Sequence, residues 1–165
     1  VETDGTGPAS FGVVEVTPVG GTSSFTGALT YSIFGTFVSV ANSPARSSQR
    51  VFISVNPDPV LGEDTGLALY NPSASQSATL QLVLRDDFGD RVETLGNLVI
   101  GPRQQLLGFV TESAFFQNFF EAQSGSFLGT VEITVTSGPD VAVLGLLQKT
   151  QAFNHALVSV AASGN

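Results

Sequence analysis

The feature that most constrains this chain is a two-residue hydrophobic rhythm, broken at short intervals by proline, glycine and aspartate. In Ala78-Thr-Leu-Gln-Leu-Val-Leu84, Leu80, Leu82 and Leu84 fall on one side of an extended backbone. Alternation of this kind is the side-chain period of a β-strand with one face in a core. The rhythm recurs at 13–17, 51–55, 66–70, 91–95, 98–100, 105–109, 131–135, 141–147 and 157–160. Pro57, Pro59, Pro72, Pro102 and Pro139 lie between these runs, and Asp86-Asp-Phe-Gly-Asp90 has the residues of a hairpin turn. Roughly ten short strands with frequent turn signals predict an all-β, antiparallel β-sandwich, Ig-like or jelly-roll-like.

One stretch departs from the rhythm. Residues 111–120 place Phe115, Phe116, Phe119 and Phe120 at helical spacing, with Thr111 as a candidate N-cap and Glu112 facing the helix dipole. A short helix near 111–120 is expected, closing one end of the sandwich. With 13 Phe, two Tyr and no Trp, its rings read as core rather than as a grip on a ligand.

The chain also repeats itself. Gly12-Val-Val-Glu-Val-Thr17 recurs as Gly129-Thr-Val-Glu-Ile-Thr134, and Phe37-Val-Ser-Val-Ala41 recurs as Leu157-Val-Ser-Val-Ala161. Residues 10–43 and 127–163 therefore read as two copies of one three-strand unit around a unit, 44–126, that occurs once. The expected organisation is a flexible polar N-terminal arm over 1–9, then a single sandwich domain over 10–165. The competing organisation is a tandem array with a period near 120 residues. A chain that starts at Val1 and lacks Met is read as trimmed from a longer precursor.

The stretch Gly66-Leu-Ala-Leu-Tyr-Asn-Pro-Ser73 is followed by a strand-turn-strand with Gly89, by Gly101-Pro-Arg-Gln-Gln105, by the aromatic segment and by Gly129-Thr-Val-Glu-Ile-Thr134. This order resembles β-sandwich repeats of secreted bacterial surface proteins, a loosely characterised set. The resemblance covers about 44–160. It implies export, repetition and a structural or adhesive role, and it carries over no site residues.

Charge narrows the partners. The net charge is −8, with six basic residues of which Lys149 is the one lysine. Such a chain cannot build the basic surface that displaces counterions from nucleic acid, and no apolar run is long enough to insert in a membrane. With no Cys there is neither a disulfide framework nor thiolate chemistry. Charged residues make up 12%, which leaves a neutral, hydroxyl-rich surface suited to life outside the cell.

Catalytic signals are sparse. His155 is the one histidine and no Gly-x-Ser-x-Gly elbow exists, so His155 reads as an ordinary surface or satisfied residue. Glu15 and Glu132 occupy equivalent repeat positions and would be the pair of a glycosidase, but each sits on the polar side of a strand, where a solvated carboxylate is ordinary. Asp86, Asp87 and Asp90 are the candidate calcium ligands, with Asp58, Glu63 and Asp64 a second acidic loop. Hairpin aspartates more often cap their own backbone. No cofactor is implied. The expectation is a non-catalytic building block, extracellular or on the cell surface, that self-associates or contacts neighbouring repeats through strand edges. The alternative is a carbohydrate-binding module of a larger secreted protein, with a glycan as partner, although no Trp is present as a stacking platform.

Overall fold

The computed structural model describes residues 29–33, 36–41, 47–151, 154–160 and 163–164, with side chains over 49–149. The strand at 12–17, Glu15 and the arm over 1–9 lie outside the described residues. Among the described residues twelve strands run in order: β1 (Leu29–Ile33), β2 (Thr36–Ala41), β3 (Ser47–Ser48), β4 (Arg50–Val55), β5 (Glu63–Tyr70) and β6 (Ala78–Asp86), then β7 (Arg91–Ile100), β8 (Gln105–Phe109), β9 (Gly129–Ser137), β10 (Val141–Gln151), β11 (Asn154–Val160) and β12 (Ser163–Gly164). One helix, α1 (Gln117–Ala122), stands between β8 and β9.

Every ladder is antiparallel. One sheet has the order β11-β10-β5-β8, with β3 also on β10; the other has the order β12-β4-β9-β6-β7. Between them the alternating residues meet: Val51, Ile53 and Val55 of β4, Leu80, Leu82 and Leu84 of β6, and Val131 and Ile133 of β9 face Leu67 and Leu69 of β5 and Val141 and Val143 of β10. The fold is an all-β sandwich, as the two-residue rhythm requires. The hairpin of β1 and β2 forms a two-stranded sheet of its own. Among the described residues no helix is long and apolar enough to cross a membrane.

The strands at 91–95 and 98–100 are one strand, β7. Leu80 pairs Leu98 while Leu82 pairs Leu95, so Gly96 and Asn97 together oppose Gln81 in a bulge. Asn97 takes the left-handed conformation this needs, at φ 58°.

The short helix is present but later and shorter than its aromatic spacing suggests. Thr111 does not cap it: its hydroxyl donates to Asp64 Oδ2 at 2.5 Å, while Glu112 Oε2 accepts the Phe109 N–H. Turns fill 110–116, and α1 starts after Phe116, which makes no side-chain cap bond. Phe115 and Phe116 are buried in the core. Phe119, Phe120 and Phe127 pack edge-to-face in all three pairings, with centroids 5.1–5.5 Å apart, close to the preferred aromatic geometry. These rings are partly buried and pack against the core.

Two motif residues owe their identity to packing. A Cβ on Gly129 would lie 2.0 Å from the Arg85 carbonyl oxygen and 2.7 Å from the Phe127 ring, so only glycine lets β9 approach β6 there. Asn71 is fully buried. Its Nδ2 donates to the carbonyls of Gln76, Ile100 and Gly101, and its Oδ1 accepts the Ser73 N–H. It ties the β5–β6 connection to the β7–β8 connection and leaves none of those groups unpaired, as burial demands.

Candidate functional site

The outer face of the five-stranded sheet carries the most organised polar cluster among the described residues. Residues directly opposite in a ladder share a face, and register sets Phe52, Glu132, Val83 and Thr94 in one row across β4, β9, β6 and β7. Glu132, at the centre of that row, is only 8% exposed. Arg50 donates from Nε and Nη2 to Glu132 Oε1 at 2.9 and 2.6 Å, and Arg85 donates from Nε and Nη2 to Oε2 at 3.1 and 2.9 Å. Each oxygen is thus held by its own guanidinium, one from either flanking strand. The Arg50 guanidinium also lies over the Phe52 ring, 4.9 Å from its centroid. Arg85 Nη1 donates to the Gly89 carbonyl, fastening the β6–β7 turn to the clasp.

Burial by itself would raise the Glu132 pKa, but the hydrogen bonds and charges of Arg85 and Arg50 outweigh it and hold the carboxyl below its ordinary value. This corrects the reading of Glu132 as a solvated strand carboxylate. With both oxygens occupied and the ionised form favoured, Glu132 is poorly suited to donate a proton, which is the first requirement of a glycosidase acid.

The opposite sheet holds a second polar cluster, at the start of β5. Glu63 Oε1 pairs with Lys149 at 2.5 Å and Oε2 accepts from Asn56 Nδ2, so one carboxylate joins β5, β10 and the end of β4. Asp64 Oδ1 accepts the Thr65 N–H and Oδ2 accepts the Thr111 hydroxyl. Burial pushes the Asp64 carboxyl above its ordinary value; those two hydrogen bonds pull it back in part, and the charge of Glu112 adds to the rise. Asp58 Oδ1 accepts the Val60 and Leu61 N–H groups, an aspartate closing its own turn.

The calcium candidates sit at the β6–β7 turn. Asp86 Oδ1 accepts the Phe88 and Asp90 N–H groups at 3.1 and 2.8 Å, and Gly89 supplies the positive φ, 86°. Asp87 and Asp90 are exposed. Among the described residues no group of three or more His, Asp or Glu side chains is placed to hold a metal ion. His155 falls in β11 opposite Thr150, and its side chain lies outside the described residues.

Sequence reasoning singled out Glu132 and Asp86 but passed over Arg50, Arg85 and Asn71. The two arginines are 82 and 47 residues from Glu132, and the signal that could have found them is their outward position on strands that flank β9. Comparison of the chain with protein-family models, curated proteins and solved structures finds no match.

Proposed function

We propose that the chain is a non-catalytic structural or adhesive β-sandwich of the cell surface or extracellular space, a building block that assembles through strand edges into a fibre or array. The resemblance to β-sandwich repeats of secreted bacterial surface proteins suggests the compartment and the repetition. The lack of catalysis is supported by how the carboxylates are used. Glu132, Glu63, Asp64, Asp58 and Asp86 each bond a neighbouring strand or their own turn.

The observation that carries the assembly reading is the hairpin of β1 and β2, which among the described residues lies close to β11 yet shares no ladder with either sheet of the sandwich. A two-stranded hairpin alone is marginal in water, so this element gains most from a neighbour. Size-exclusion chromatography and cryo-microscopy of the full chain should show assemblies that deletion of residues 1–43 dissolves. A stable monomer at high concentration would overturn the reading. Binding of the isolated domain to a glycan array would instead favour the carbohydrate-binding module.

A further inference from the structure

Among the described residues β11 ends its sheet, with a ladder to β10 on one side only. Cα atoms of β2 also come within 8 Å of those of β11. Sheets stacked face to face stand ~10 Å apart and neighbouring strands ~4.8 Å, so this approach is lateral: β2 runs beside β11 without joining its ladder. The strand beside β11 is also its sequence relative, since Val38-Ser-Val-Ala41 matches Val158-Ser-Val-Ala161. The two hairpins are built alike. Ile33 pairs Thr36 across two intervening residues, and Gln151 pairs Asn154 across two.

The edges are guarded unequally. β7 carries Arg91 and Glu93 and the bulge at Asn97, and bulges and charges of this kind discourage edge pairing. β8 offers five residues, and β4 is partly capped by β12. β11 and β2 contain no Lys, Arg, Asp, Glu or Pro over seven and six residues.

Resting on the assembly proposed above, we infer that the outer edge of β11 is the assembly edge, and that its partner is the β1–β2 hairpin of a second copy of this chain. β3 stays on its own β10, so exchange of the hairpin from one β11 to another leaves the ladders of the sandwich in place. Reciprocal exchange closes a dimer; one-way exchange propagates a fibre.

The chain has no cysteine, so single labels are clean. A donor fluorophore is placed on Ser39→Cys of one population of full-length chain and an acceptor on Ser159→Cys of another. A strand edge is formed by backbone N–H and C=O groups, which a side-chain label does not replace. Energy transfer should appear as the mixed chains assemble and be lost on dilution, and Val40→Pro, which removes an N–H from β2, should abolish both assembly and transfer. Assemblies that form without transfer, or that survive Val40→Pro with the circular dichroism of the sandwich intact, overturn the β11 edge but leave self-association standing. A monomer at every concentration overturns both readings.

Discussion

The two sheets each take a carboxylate partly out of water, and they do so with opposite results. On the five-stranded sheet Glu132 is almost fully covered, yet two guanidiniums keep it ionised. On the other sheet Asp64 is less covered but is given only a hydroxyl and an N–H, and its acid form is favoured. Burial costs both groups solvation; what decides the sign is whether a full opposite charge replaces the lost water. Glu132 therefore fastens β4 to β6 across β9, whereas Asp64 holds the 110–116 turns to β5 at some cost in stability.

The largest effect should come from breaking the clasp. Glu132→Ala leaves two guanidiniums facing each other over a buried site. Loss of one partner of an enclosed ion pair costs ~3–5 kcal/mol. The arginine side chains are 50% and 30% exposed, which lowers the expectation here to about 2–3 kcal/mol in urea unfolding. A change under about 0.5 kcal/mol would mean that Glu132 behaves as an ordinary surface residue after all.

Next come the two arms of the clasp. A lysine cannot reproduce two N–H groups on one oxygen. Arg85→Lys should cost about 1 kcal/mol, and Arg50→Lys less, because Arg50 is the more exposed arm and Arg85 also holds the Gly89 carbonyl. Equal losses in the two variants would show that exposure does not grade the clasp.

The contrast between the two sites also marks what could be read from the chain alone. Strands were legible because period two survives in the identities of Leu80, Leu82 and Leu84 whatever the tertiary context. The helix was legible as aromatic spacing, but its start was not: Thr111 has the chemistry of a cap and spends it on Asp64, 47 residues away. The alternation of β9 puts Glu132 on an outward face, but it does not show that the residue is dry. Facing outward does not expose a side chain that stands between Phe52 and Val83 with Arg50 and Arg85 on the diagonals, and those neighbours appear only once register is known. Asn71 was visible as part of a motif, while its three carbonyl partners come from two separate connections.

A smaller effect separates the sites by pH. Glu132 has a lowered pKa in the fold, so the unfolded chain binds its proton first. Its stabilisation is full above about pH 4.3 and is lost as pH falls through the folded value. Asp64 has a raised folded pKa, so its window runs from about pH 3.9 up to the folded value: there the native state binds more protons and stability falls as pH rises. Asp64→Asn should flatten that slope and stabilise the protein at pH 7 by less than about 0.5 kcal/mol once solvent screening is allowed for, since the amide still accepts the Thr65 N–H. A loss of stability at pH 7 would show that the ionised form is the favoured one.

The smallest effect, that of calcium, is expected where carboxylates keep their water. At the β6–β7 turn Asp86 Oδ1 already accepts two backbone N–H groups, a use that closes the hairpin without any cation. Asp87 and Asp90 point from an exposed turn and stay hydrated, so neither meets the desolvation that makes Glu132 depend on its arginines. Calcium needs about six to eight oxygens, and a carboxylate whose oxygen is shared by two amides offers little to such a shell. A chelator should therefore leave the melting temperature unchanged. Asp87→Ala should shift stability within about 0.5 kcal/mol, as surface substitutions usually do. Asp86→Ala should cost about 1 kcal/mol through the lost turn bonds, with or without calcium. If instead the chelator lowers the melting temperature by many degrees and calcium restores it, and Asp87→Ala removes that response, the turn is a metal site. The carboxylates of this fold would then divide by the cation each one holds rather than by burial.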